Sequence, residues 1–170
     1  MLTPVREAMG RTLRWVRPSV LHREYELRAD RDVVATVRLL GFLGNAAAAE
    51  AEDGRWVLRP HGLFHQEVTV TRGDSDVGVA SVRNRIFGEG RVTVEGGRHY
   101  DWLPDNFWRT RWTLWDATRA PLFHLERRVL FAREKARVTV EVPAYALPDL
   151  PLLLVVAWHS VLLHRRRHSR

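Results

Sequence analysis

The stretch that decides the fold lies near the carboxyl end, where residues 148–163 read Pro-Asp-Leu-Pro-Leu-Leu-Leu-Val-Val-Ala-Trp-His-Ser-Val-Leu-Leu. Asp149 can cap a helix and Pro151 is tolerated in a first turn, so a helix is predicted to begin here. From Leu150 to Leu163 this helix is apolar on every side, and such a helix must be enclosed. The apolar run has 14 residues and is about 21 Å long, whereas a helix needs ~20 residues to span the hydrocarbon of a bilayer.

Two arrangements would enclose this helix. It can lie in the lumen of a barrel made by the preceding strands, or it can enter a bilayer as a tail anchor with Arg165–Arg167 at the cytoplasmic surface. The second arrangement places a His-Ser pair inside the membrane and leaves the barrel empty. We therefore predict the helix in the lumen, over residues 149–165.

The residues before this helix alternate between apolar and polar over short segments that are separated by turn residues. Asp53-Gly54 and Gly96-Gly97 are strong hairpin turns. The aromatic segment Phe107–Trp115 is interpreted as a strand with Trp108 and Trp112 on the inner face. Regular spacing of short strands predicts a mainly β fold, a closed and mostly antiparallel barrel of about 11–12 strands.

The first residues are predicted to form a short amphipathic helix. Thr3 can cap it, Pro4 suits its first position, and apolar residues such as Leu13 and Val16 share one side. The helix would pack on the barrel or bind a membrane or partner. The predicted organisation is this helix over 1–18, the barrel over 19–167 and a basic tail over 168–170.

Composition narrows the class of protein. The chain has 170 residues, 45% hydrophobic content and no cysteine, which indicates one globular domain without disulfides, iron–sulfur clusters or thiol nucleophiles. No signal peptide or long apolar run is evident, so we expect a cytoplasmic protein that is at most peripheral at a membrane. The net charge is +7, and Lys135 is the single lysine among 27 basic residues. This arginine excess reflects either a GC-rich genome or a phosphate-binding surface.

No catalytic motif was found, and we predict no enzyme activity, no cofactor and no metal. A metal ion could be bound by His61, His65 and Glu67. Solvated or hydrogen-bonded histidines are far commoner than metal-binding ones, so we predict no metal site here. His159 interrupts the apolar helix and must find a hydrogen-bond partner if it is buried. It is interpreted as a satisfied core histidine, and the alternative is a polar lining for a ligand pocket.

A recurring pattern of aromatic-x-Leu followed by a polar turn resembles the tubby C-terminal-like superfamily, which includes LURP-one-related proteins and phospholipid scramblases. It occurs as Tyr25-Glu26-Leu27, Trp56-Val57-Leu58 and Trp112-Thr113-Leu114. The resemblance implies a barrel around a central helix, relatives among small bacterial LURP-one-like proteins, and, by way of tubby domains, phosphoinositide head groups as ligands. The palmitoylated cysteine cluster and calcium segment of scramblases have no counterpart here.

The expected function is a non-catalytic binding or scaffold domain that contacts anionic phospholipid head groups. The alternatives are a carrier or enzyme with a polar lumen around His159, a domain that binds another protein, and a nucleic-acid binder that uses aromatic and arginine side chains. The candidate contacts with an anionic ligand are Arg6, Arg11, Arg14, Arg17, Arg109, Arg111, Arg165, Arg166 and Arg167.

Overall fold

The protein is a closed barrel with a filled lumen in a computed structural model that describes residues 1–63, 66–128 and 133–168. Each strand pairs antiparallel with its sequence neighbours, and β1 pairs with β12 to close the barrel. The strands are β1 (Leu13–Val16), β2 (Glu24–Ala29), β3 (Asp32–Leu40), β4 (Ala46–Ala51), β5 (Gly54–His61), β6 (Glu67–Arg72), β7 (Gly78–Asn84), β8 (Gly90–Val94), β9 (His99–Pro104), β10 (Arg111–Trp115), β11 (Pro121–Arg127) and β12 (Glu134–Val140).

The predicted lumen helix is confirmed as α1 (Leu150–His168). All residues from Leu150 to Leu163 are buried. The barrel wall faces them with alternate residues of each strand, because successive side chains in a strand point to opposite faces. No helix in the described ranges is long and apolar enough to cross a membrane.

The place of α1 within the lumen depends on the size of the side chains in the barrel wall. The helix lies closest to β3 and β4, where β4 turns the small residues Ala47, Ala49 and Ala51 inward. Larger side chains fill other parts of the lumen. The Trp158 ring of α1 stacks on Trp15 of β1 with centroids 5.4 Å apart. The lumen is therefore a packed core.

The amino-terminal helix prediction was wrong for most of its length. Val5–Ala8 forms a single 3-10 turn, and Gly10 then adopts a φ of +79°, which ends the helical path. Leu13–Val16 is strand β1 instead. Its residue Leu13 pairs with Ala29 on one side and Val138 on the other, so this segment closes the barrel.

The strand predicted over Phe107–Trp115 begins only at Arg111. Residues 105–110 form a loop that Asn106 stabilises, since its side chain accepts a hydrogen bond from the Thr110 backbone N–H at 3.0 Å. Trp112 faces the lumen as predicted, but Trp108 does not, and it is exposed. The interpretation of Trp108 as part of the inner wall was wrong.

Candidate functional site

The two ends of the barrel differ in how strands are connected. In an up-and-down barrel alternate connections lie at the same end. The loop end, as we call it, carries alternate strand connections together with the carboxyl end of α1; the described residues of these connections are 17–23, 41–45, 62–63, 66, 85–89, 105–110, 128 and 133. The turn end carries the five short hairpin turns and residues 141–149, which lead into α1.

Charge is segregated between these ends. At the loop end, the described connections, the last turn of α1 and the neighbouring start of β12 carry ten basic residues against three acidic ones, Glu89, Asp105 and Glu134. The basic residues are Arg17, Arg23, Arg85, Arg109, Arg128, Arg133, Lys135, Arg165, Arg166 and Arg167. The connections of the turn end carry nine acidic residues against three arginines. Such a distribution makes the electrostatic potential more positive at the loop end than at the turn end.

The structure brings together five of the nine predicted arginines. Arg17, Arg109, Arg165, Arg166 and Arg167 lie at the loop end. Of the other four, Arg111 borders this end and three lie elsewhere.

Arg6 lies in the 3-10 turn near the turn end, and Arg11 is paired there with Asp30 and Asp32 at 2.9 and 3.0 Å. Arg14 lies on the outer wall, 3.9 Å from Glu134. Arg111 is exposed at the start of β10, where it follows the 105–110 connection and borders the loop end. Arg6, Arg11 and Arg14 therefore do not contribute to one surface with the other five.

A basic cleft of about 230 Å³ opens at the loop end beside the last turns of α1. None of the described residues that line it is acidic. Three other clefts on the described surface each mix acidic and basic residues. The basic cleft is lined by Arg17, Tyr25, Leu39, Lys135, Leu162, Arg165 and Arg166.

Lys135 reaches this cleft because of a β-bulge. Trp15 of β1 pairs with Ala136, but Val16 pairs with Glu134, so Lys135 is an extra residue without a partner on β1. A bulge of this kind redirects a side chain. The sequence analysis did not select Lys135, because a bulge leaves no signal in the alternation of residues.

The cations of the cleft destabilise one another. Burial, followed by the charges of Arg165 and Arg17, lowers the pKa of Lys135. Burial and the charge of Arg165 likewise lower the pKa of Arg127. Burial is the first cause of both shifts, and the like charge of Arg165 adds to each, so an anion bound beside Arg165 would oppose them.

A second feature of the loop end is its exposed apolar side chains. Nine of the twelve large apolar side chains that are exposed in the described residues lie here. They occupy five different loops and are Val20, Leu21, Phe42, Leu43, Leu63, Ile86, Phe87, Phe107 and Trp108. The sequence analysis missed this ring. Comparing the connections that lie at one end of the predicted barrel would have revealed it.

His159 is buried in α1, and its Nε2 lies 2.7 Å from the backbone oxygen of Asn45. This contact fits the interpretation of a satisfied core histidine. No group of three or more possible metal ligands occurs in the described residues. The candidate ligand His65 lies outside them, so the His61–His65–Glu67 set is not described as a whole.

Comparisons with known proteins inform the fold alone. No protein-family model matches the chain, and no curated protein does. The chain is similar to the X-ray structure of a protein from Arabidopsis thaliana, with a TM-score of 0.61 and 10% sequence identity. The match covers 100% of this chain and 99% of the Arabidopsis chain. The whole barrel and its helix therefore follow a fold that is already known.

Proposed function

We propose that the protein is a non-catalytic binding domain that attaches to anionic phospholipid surfaces through its loop end. The observation that carries this proposal is the basic cleft, which combines Arg17, Lys135, Arg165 and Arg166 with no acidic residue among the described residues of its lining. Each lysine or arginine close to an anionic bilayer contributes about 1 kcal/mol to binding. The resemblance to the tubby C-terminal-like superfamily supports the same ligand class, since tubby domains bind phosphoinositide head groups.

Single-stranded nucleic acid is the second candidate, because Trp108 is exposed beside Arg109 and could stack on a base. The phospholipid surface fits better for a geometric reason. The basic residues are distributed over one end of a closed barrel, whereas a nucleic-acid strand is usually bound along a groove.

The proposal is tested by co-sedimentation of the full chain with vesicles of phosphatidylcholine alone or with added phosphatidylserine. The double variant Lys135→Gln/Arg165→Gln removes two charges from the cleft. The matched control, Arg6→Gln/Arg31→Gln, removes two exposed charges near the turn end. We expect the cleft variant to bind anionic vesicles about 30-fold more weakly, from a loss of about 2 kcal/mol.

The control should bind anionic vesicles nearly as the wild type does, and binding should weaken as salt rises. Equal recovery of the wild type with neutral and anionic vesicles at low salt would reject the proposal. Preferential binding of a single-stranded oligonucleotide, with vesicles unable to compete for the protein, would favour the second candidate.

A further inference from the structure

We propose that the loop end does not merely rest on the head groups but inserts its apolar loop tips into the bilayer interface. This inference rests on the proposed function and adds a hydrophobic contribution to the electrostatic one. The tips are the nine exposed apolar side chains of the loop end defined above, which each keep 61–96% of their surface exposed. Apolar groups in such number at one end of a soluble domain indicate an interaction site.

The arrangement of the tips suits a planar partner. They belong to five separate loops that follow one another around the rim of the barrel. They therefore form a ring at one end rather than a patch on one side. In the described residues the turn end has no such ring, since its exposed large apolar side chains are limited to Val77, Val142 and the terminal Met1.

Arginines hold the backbone of these tips from within. Arg17 donates to the backbone oxygen of Val20 at 2.9 Å, and Arg23 donates to that of Phe42 at 3.1 Å. A carbonyl oxygen that enters an apolar environment without a donor costs several kcal/mol. These contacts remove that cost, because the two loops already have donors for the carbonyls nearest their tips.

Two further loop contacts repeat this arrangement. Arg166 at the end of α1 donates to the backbone oxygen of Leu43, and Arg109 donates to that of Phe87 at 2.6 Å. The Arg109 guanidinium also lies 5.6 Å from the centroid of the Phe87 ring. The cations of these loops therefore contact the backbone of the tips, while the apolar side chains remain exposed.

The positive charge of the loop end favours a bilayer, rather than a second copy of the chain, as the partner that covers the apolar tips. Two loop ends facing each other would bring ten basic residues of one copy against ten of the other. A bilayer instead presents apolar tails to the tips and anionic head groups to the cations above them. The loop end carries both kinds of side chain, exposed apolar tips and basic residues in the same connections.

Trp108 provides a direct measure of insertion, since it alone among the seven tryptophans, all in described residues, is exposed. The full chain is mixed with phosphatidylserine-containing vesicles that carry lipids brominated at known acyl positions, and tryptophan fluorescence is recorded. The signal of Trp108→Phe is subtracted. We expect the difference signal to shift to the blue and to be quenched most strongly by shallow bromines.

A pair of variants tests the energy of insertion. Phe107→Ser/Trp108→Ser removes two tips, and Val77→Ser/Val142→Ser removes two exposed apolar side chains from the turn end. We expect the tip variant to lose at least about tenfold in partitioning into anionic vesicles, and the control to match the wild type. Thermal melts should show both variants folded, because neither removes a buried side chain.

The outcomes separate this inference from the proposed function. If the wild type binds anionic vesicles, but the tip variant binds equally well and Trp108 is not quenched, insertion is wrong and electrostatic attachment stands. If the wild type is a dimer in solution and the tip variant is a monomer, the tips cover a second copy and insertion is also wrong. If the wild type binds no vesicle, both proposals fail.

Discussion

Acid should destabilise the barrel through His159, the polar side chain at the centre of the packed helix. Its Nε2 lies 2.7 Å from the carbonyl oxygen of Asn45, so Nε2 carries a hydrogen and donates it. Burial lowers the pKa of His159 to about 4; the hydrogen bond to Asn45 opposes the shift, and the charge of Arg166 adds to it. The imidazole is therefore neutral in the folded protein at pH 7.

The sign and size of the effect follow from the two pKa values. The unfolded chain binds a proton at His159 as the pH falls through about 6.5, but the folded chain does so only near 4. The contribution of His159 to the free energy of unfolding is therefore fully present above pH 6.5 and is lost progressively as the pH falls toward 4. At pH 4.5 the loss from His159 is on the order of 2 to 3 kcal/mol, a substantial fraction of the stability of a domain.

Urea denaturation of the wild type and of His159→Gln from pH 4.5 to 8 isolates this contribution, because groups that titrate alike in both proteins cancel in the difference. The free energy of unfolding of the wild type relative to the variant should fall by about 2 to 3 kcal/mol between pH 7 and 4.5. The control is His61→Gln at an exposed histidine. A constant difference between wild type and His159→Gln over this range would refute a buried, neutral His159.

Two further changes test the lumen and the loop end. Trp158→Ala removes the ring that stacks on Trp15 and should cost about 3 to 5 kcal/mol of unfolding free energy, as measured by urea denaturation; a cost under about 1 kcal/mol would argue against a packed lumen. Gly44→Ala adds a Cβ at a φ of +60°, where it would lie 2.8–2.9 Å from guanidinium nitrogens of Arg23 and Arg166. It should weaken binding to anionic vesicles roughly fivefold, because the arginines must leave the loop carbonyls, and unchanged binding would show that their placement is unimportant.

The sequence predicted the barrel and its helix because both depend on patterns that extend over many residues. A helix that is apolar on every side must be enclosed by other apolar groups, and Leu150–Leu163 is too short to span a bilayer. Hairpin turns such as Asp53-Gly54 mark where strands end. Both signals can be read along the chain without knowledge of distant contacts, and the structure confirmed the helix and the barrel.

Errors arose where pairing with distant residues overrode a local pattern. The spacing of Leu13 and Val16 is compatible with a helix, but β2 and β12 offer hydrogen-bond partners on both sides, and the segment becomes β1. In 105–110 the side chain of Asn106 stabilises a loop that alternation alone could not reveal. The sequence analysis grouped Arg6 and Arg11 with the other predicted arginines for a similar reason. Only the closed topology shows which connections lie at the same end of the barrel.

The lumen helix contributes three of the ten basic residues of the loop end as well as filling the core. It begins at the turn end, where Asp149 accepts hydrogen bonds from Arg98 and Tyr100, and it ends among the loops with Arg165–Arg167. The carboxyl end of a helix carries about half a negative charge, which favours cations in its last turn. That half charge cannot neutralise the three arginines of α1 together with Lys135. An excess of positive charge therefore remains at the loop end, and the proposed anionic surface would neutralise it.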